Sequence, residues 1–220
     1  LAGYVILLLE KVFAGLPKNL DGLKAIFLYP LFSTAIVGLV MLGISGPMAA
    51  INTAMMDFLK GLSASGAVVL GLAIGCMCAF DMGGPVNKAA YVFGAAQIAA
   101  GNYDIMAAVM IGGMVPPIAI ALSNTFFKNR WTDEERKNAP VNYVMGLSFI
   151  TEGAIPYAAG HPLQVIPSCI VGSAVAGALS ALFGCKLMAP HGGIFVFATM
   201  QGTWYFYLLA LAIGAVVSML

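Results

Sequence analysis

Residues 80–103 read FDMGGPVNKAAYVFGAAQIAAGNY, and residues 141–162 read VNYVMGLSFITEGAIPYAAGHP. Both are too polar and too broken to cross a bilayer as plain helices, yet no hydrophilic loop carries either into water. In the first, Asp81, Asn87 and Lys88 surround a Gly83-Gly84-Pro85 break; in the second, Thr151, Glu152 and Gly153 are followed by Pro156. Irregular backbone at membrane depth is tolerated only where protein buries it or where it lines a watery cavity. A charge at the bilayer centre costs about 2.5–3.5 kcal/mol on insertion scales, so such groups face inward. Broken helices in corresponding parts of a chain are the best pointer to a transporter's binding site. The two stretches therefore predict an all-α polytopic membrane protein whose transmembrane helices enclose two re-entrant, broken-helix hairpins.

The surrounding sequence supplies the spans. Apolar stretches at roughly 25–43, 64–80, 105–122, 163–185 and 203–220 approach the length needed to cross about 30 Å of hydrocarbon. Gly71 and Gly75, and likewise Ser173 and Gly177, are small residues four apart, the spacing that lets helix backbones approach closely in lipid. Residues 44–60, ISGPMAAINTAMMDFLK, carry Pro47, Asn52 and Asp57 and are expected as an interfacial or connecting helix. If both broken segments are re-entrant, the single span between them makes them enter from opposite sides, with their tips meeting near the midplane.

Composition agrees. The chain is 61% hydrophobic and 9% charged, against about 25% charged in an ordinary soluble domain. A 220-residue globule cannot hide that much apolar surface, so lipid must cover part of it. A net charge of +1 and the lack of a basic stripe interleaved with aromatics give no support to a nucleic-acid partner. Cys76, Cys78, Cys169 and Cys185 lie in apolar stretches and read as buried free thiols; no metal or cofactor site is expected. No signal peptide is visible, and the chain reads as a piece of a longer protein whose N-terminal helices are missing.

The aqueous loop is 128–138, KNRWTDEERKN. Its Lys128, Arg130, Arg136 and Lys137 place it in the cytoplasm by the positive-inside rule. Thr132 followed by Asp133, Glu134 and Glu135 reads as a short helix start. Lys11, Lys18 and Lys24 make a weaker basic loop. A third broken element, APHGGIFV at 189–196, sets His191 between a proline and two glycines, in an exposed turn or a cavity lining. His161 reads as the end of the second hairpin.

The residue types suit a sugar. An ionised Glu152 accepts from two hydroxyls, Asn87 and a neutral His191 both donate and accept, and Gly83, Gly84 and Gly153 let backbone come close to a ligand. Asp81 and Lys88 are seven apart and would share a helix face, so two readings stay open: they pair with each other, or they contact sugar. No P-loop and no cysteine in a basic environment is present, so no catalytic residue is assigned and a phosphoryl donor would have to come from elsewhere. A proton-coupled secondary transporter of a polar solute, relaying through Asp81, Glu152 and His191, fits composition and broken helices equally well. An intramembrane enzyme lacks any nucleophile arrangement, and a purely structural protein leaves the charged breaks unexplained.

Five stretches in order resemble the IIC component of the fructose family of phosphotransferase systems: FDMGGPVNKAAY at 80–91, MAAVMIGGMVPP at 106–117, GLSFITEGAIPY at 146–157, VIPSCIVGSAVAGALSALFG at 165–184 and APHGGIFVF at 189–197. LPKNLDGLKAIFLYPL at 16–31 also resembles it, so the similarity covers essentially the whole chain. The resemblance implies a partial IIC membrane domain, its C-terminal two-thirds, multi-pass in a bacterial-type inner membrane. It implies a homodimer that works by an elevator-like movement and carries fructose, or a related hexose, inward. A soluble IIB partner bearing a phosphocysteine would phosphorylate the sugar to fructose 1-phosphate. Such a chain belongs to a protein-phosphohistidine–sugar phosphotransferase complex but carries the transport. Carried over by motif, the sugar-contacting Glu is Glu152 and the histidine is His191, joined from the residue reading by Asn87, Thr151, Asp81, Gly83, Gly84 and Gly153. His161 departs from the pattern, an acidic residue being expected there in many relatives.

Overall fold

The computed structural model describes residues 2–17, 20–63, 65–202 and 204–220, so Lys18, Ala64 and Thr203 of the loops and spans above lie outside the described residues. The chain packs as two units, Leu1–Thr53 and Ala54–Leu220.

In the first unit, helix α1 (Ala2–Val12) leads through a 3-10 turn at Phe13–Gly15 to a short α2 (Asp21–Leu23). A π-helical stretch, Lys24–Leu28, then runs into α3 (Tyr29–Ser63). Phe13 packs its ring on Tyr29 and Phe32, at 6.2 and 5.6 Å between centroids. The buried Lys24 ammonium is satisfied by the Asp21 carboxylate and the Leu16 carbonyl. Residues 44–60 are not the separate helix that Pro47, Asn52 and Asp57 suggested. They continue α3 with Pro47 inside it. A proline removes one amide donor without necessarily ending an apolar helix, because the freed backbone groups can be re-satisfied locally. Asp57 and Lys60, one turn apart, pair at 3.2 Å on an exposed face.

The second unit is organised around one helix. The helices α4 (Ala67–Phe80), α5 (Pro85–Ala99) and α6 (Tyr103–Phe126) precede the basic loop, in which α7 (Asp133–Asn138) sits. After it come α8 (Val141–Leu147), α9 (Ile155–Gly160), α10 (Pro162–Leu182) and α11 (Trp204–Met219). A two-stranded antiparallel ribbon, β1 (Lys186–Leu187) with β2 (Met200–Gln201), closes the connection between the last two helices and adds the only strands among the described residues to an otherwise helical chain. Among the described residues, three helical runs are long and apolar enough to cross a membrane: Asp21–Ser63, Tyr103–Phe126 and Pro162–Leu182. The helices in the other two expected spans are shorter, 14 residues in α4 and 16 in α11, or about 21 and 24 Å at 1.5 Å per residue.

α6 is apolar all round, and a helix of that kind is buried on every side. Every residue from Ile105 to Ala121 is buried, with α4, α10, α11, α5 and α8 packed around it. The small-residue pairs meet as their spacing predicts. A Cβ on Gly71 would strike the Gly177 carbonyl, and one on Gly75 would strike the Ser173 carbonyl. Gly112 brings α6 into the same junction, where an added Cβ would lie 3.1 Å from the Gly75 Cα.

Pro116 and Pro117 lie inside α6 and lack the amides that would bond to the carbonyls of Gly112 and Gly113. Both carbonyls are supplied from other parts of the chain: Ser173 Oγ donates to Gly112 O and Thr151 Oγ1 to Gly113 O, each at 2.8 Å. The two hydroxyls replace the helix's own lost bonds. Thr151→Val keeps the shape and deletes the donor. It is expected to lower stability by about 1–2 kcal/mol, whereas Thr151→Ser retains most of it; the two thermal unfolding midpoints in detergent decide the comparison.

Candidate functional site

The helices stop and restart at both stretches, and in the first the break's own side chains take up the freed backbone groups. α4 stops at Phe80 and α5 starts at Pro85, a proline at the first helical turn, where its missing amide costs nothing. Between them Met82 has φ 48° and Gly83 φ 113°. The Asp81 carboxylate accepts from the amides of Val86 at 2.7 Å and Asn87 at 2.9 Å, filling the orphan donors at the start of α5. Asn87 Nδ2 donates to the Cys78 carbonyl at 2.6 Å, an orphan acceptor at the end of α4. In the second interruption α8 ends at Leu147, Phe149 takes φ 63°, and a 3-10 turn at Thr151–Ala154 leads into α9. A bulky residue in the left-handed region is strained, and such residues cluster at functional sites; Met82 and Phe149 place one in each break.

The breaks meet at Glu152. Lys88 Nζ lies 3.3 Å from Glu152 Oε1, the two side chains being 58% and 47% exposed. The sequence left open a pair between Lys88 and Asp81; Lys88 instead reaches across to the other break, while the Asp81 oxygens accept from backbone amides. Gly83 makes the meeting possible on two counts. Its φ is in the left-handed region, and an added Cβ would sit 2.7 Å from Glu152 Oε1. A Cβ on Gly84 would crowd the Asp81 carboxylate at 2.5 Å, and one on Gly153 would crowd Asn142 Oδ1 at 2.5 Å.

The 189–196 segment packs onto the second break: a Cβ on Gly193 would strike the Leu147 carbonyl. Next to it the exposed His191 ring lies 4.9 Å from the Phe149 ring and 6.5 Å, edge-on, from Tyr91. Tyr91 and Phe149 are themselves 6.4 Å apart. Glu152, Lys88 and Gly83 thus meet between the two breaks, and His191, Phe149 and Tyr91 form a ring cluster at the second break, while Asp81, Asn87 and Thr151 each hydrogen-bond to backbone around them. Tyr91 and Phe149 were not singled out from the sequence as ligand contacts, although both lie inside the motifs quoted above; attention to polar groups passed over the rings between them.

His161 belongs elsewhere. It joins α9 to α10, its Nε2 is 3.1 Å from Glu135 Oε1, and its ring meets Trp131 edge-on at 5.7 Å. Glu135 also completes the capping box that starts α7 at Thr132, as the sequence suggested. Burial pushes the Glu135 carboxyl up, but the amide and hydroxyl of Thr132 and the His161 ring outweigh it and hold the group below the usual carboxylate range. A cavity of about 560 Å³ lies beside this cluster between α6, α10 and α11 and touches none of Glu152, Lys88 or His191. Chemistry rather than volume singles out the candidate site: a half-exposed carboxylate–ammonium pair joins the two breaks, and an exposed imidazole lies against Phe149 and Tyr91 at the second.

The chain is similar in sequence to known proteins. The family described as phosphotransferase system, EIIC, matches residues 1–172. The chain is 50% identical over 217 residues to the fructose-specific EIIABC component of Bacillus subtilis, covering 98% of this chain and 34% of that protein. It is 53% identical over 206 residues to the fructose-specific EIIB'BC component of Rhodobacter capsulatus, covering 92% of this chain and 36% of that one. With the fructose permease IIC component of Bacillus amyloliquefaciens the identity is 48% over 218 residues, covering 99% of this chain and 71% of the relative. The chain thus spans about a third of the longer, multi-component relatives it matches. No solved structure matches it significantly. From its matched residues, its interrupted helices and its apolar spans, the chain belongs to the EIIC family of the phosphotransferase system, in the group that holds these fructose-specific relatives, and is a multi-pass protein of the inner membrane.

Proposed function

We propose that the chain is the sugar-translocating part of a fructose-type phosphotransferase permease. In this reading fructose is carried inward and phosphorylated by the phosphocysteine of a IIB partner as it reaches the cytoplasm. The observation that carries the reading is the meeting of two helix breaks at the Glu152–Lys88 pair beside Gly83. Glu152 accepts from sugar hydroxyls and His191 offers a second polar contact, with the half-buried Tyr91 and the buried Phe149 packed behind the imidazole. Gly83 and Gly84 let the first break come close, Gly153 seats the second against α8, and Asp81, Asn87 and Thr151 hold the backbone in place. Both breaks act as re-entrant hairpins whose tips form the two walls of the site, in a homodimer that moves them from one side of the membrane to the other. The names of the relatives support the sugar, and the fused B and C components in several of them support a IIB partner.

The test is uptake of labelled fructose by vesicles of the full-length protein, with and without phosphorylated IIB inside. Fructose phosphate should accumulate only when phospho-IIB is present. Free fructose accumulating on a proton gradient would instead make the protein a secondary transporter.

A further inference from the structure

We propose that Lys88 is a specificity-determining residue that touches the substrate: its ammonium donates to a sugar hydroxyl oxygen next to the hydroxyl from which Glu152 accepts, so the pair reads two neighbouring hydroxyls of a neutral sugar. The proposal rests on the sugar reading above and deepens it. Lys88 stands on the first turn of α5 and Glu152 on the 3-10 turn of the other break, 64 residues later, yet Nζ and Oε1 are 3.3 Å apart. That spacing is comparable with the separation of adjacent ring hydroxyl oxygens. Asp81, the acid nearest in sequence, accepts from two backbone amides of α5 and makes no bond to the ammonium.

A structural role does not account for the pair. With the two side chains 58% and 47% exposed, it contributes about 0–1 kcal/mol to stability. Three of the other ion pairs among the described residues join residues three apart, Asp21–Lys24, Asp57–Lys60 and Asp133–Arg136, and the fourth, Glu135–His161, is continuous with the α7 capping box. The chemistry of the pair is directional instead. An ammonium offers three donors and no acceptor, a carboxylate only acceptors. A hydroxyl is both, so two adjacent hydroxyls can donate to Glu152 and accept from Lys88 at once, a demand that a sugar lacking either group cannot meet. The opposite charges also leave this part of the site without net charge, which suits a neutral ligand better than a bare carboxylate would.

The experiment is equilibrium binding of fructose and its series of single-deoxy analogues to the full-length protein in the absence of phospho-IIB. Wild type is compared with Lys88→Met, which keeps the aliphatic stem, and with Lys88→Arg, which keeps charge and donors; elution profile and thermal midpoint show that each variant is folded. Lys88→Met should weaken fructose binding about 10- to 150-fold, the worth of a charged hydrogen bond, and Lys88→Arg should restore part of the loss. For one deoxy analogue, missing the hydroxyl that Lys88 contacts, wild type and Lys88→Met should bind alike. An equal loss for fructose and every analogue would show that Lys88 acts only by orienting Glu152 and would overturn the contact. Unchanged fructose binding in Lys88→Met would overturn it too. A wild-type protein that binds no fructose would sink the sugar reading itself, an outcome visible before any variant is compared.

Discussion

Glu152→Gln is expected to weaken fructose binding about 10- to 150-fold and to reduce phospho-IIB-dependent uptake at least as much. The substitution is nearly isosteric, so the effect isolates charge. A hydrogen bond to a charged group contributes about 1.5–3 kcal/mol, twice or more its neutral counterpart, and each 1.4 kcal/mol is a factor of ten in affinity. The amide also leaves the Lys88 ammonium without its counter-charge. Binding measured without phospho-IIB separates two contributions of the carboxylate. If affinity falls and the phosphorylation rate at saturating fructose does not, Glu152 only binds. If the saturated rate falls as well, it also accepts the proton of the reacting hydroxyl. Wild-type affinity in Glu152→Gln would remove it from the site.

Gly75→Leu should have the largest effect on the folded state. At that position α4 runs so close to α10 and α6 that even one added carbon overlaps the Ser173 carbonyl and approaches the Ala174 Cα to 2.9 Å. Backbone cannot swing aside as a side chain can, so the helices must separate, and Ser173 then loses its bond to Gly112 O. Overpacking of this kind costs about 1–3 kcal/mol and sometimes more, and the lost hydrogen bond adds to it. The expected result is protein that aggregates on extraction or unfolds at a clearly lower temperature. Gly38→Ala serves as the control, since nothing lies within 4 Å of its added Cβ and alanine favours helix. Equal thermal midpoints for the two variants would show that the glycine junction is not what holds these helices.

Much of this architecture is legible in the sequence because bilayers leave few choices. The apolar runs, the glycine pairs at 71/75 and Ser173/Gly177, the breaks after Phe80 and before Pro156 and the helix start at Thr132 all follow from local rules, and the structure contains them. What local rules miss is reach. Asp81 and Lys88 share a helical spacing, but two backbone amides claim the carboxylate first. Thr151 reads as a ligand contact until the proline pair 34 residues upstream supplies a carbonyl for its hydroxyl. Residues 44–60 read as a separate interfacial or connecting helix, yet they continue α3 with Pro47 inside it. At the candidate site the conspicuous charges were visible, whereas the ring cluster of Tyr91, Phe149 and His191 joins residues far apart in sequence.

The proline pair in α6 also has a bearing on how the protein is made. The carbonyls of Gly112 and Gly113 acquire their partners from residues 61 and 38 positions later in the chain. At about 5–20 residues per second of synthesis, α6 waits roughly 2–12 s for those hydroxyls. During that interval its middle carries two unpaired acceptors, which lipid cannot satisfy. A nascent α6 is therefore at home beside the wet interior of the insertion machinery, and its release into lipid becomes favourable once the second break and α10 have emerged. The central helix of the finished protein is in this sense among the last to settle.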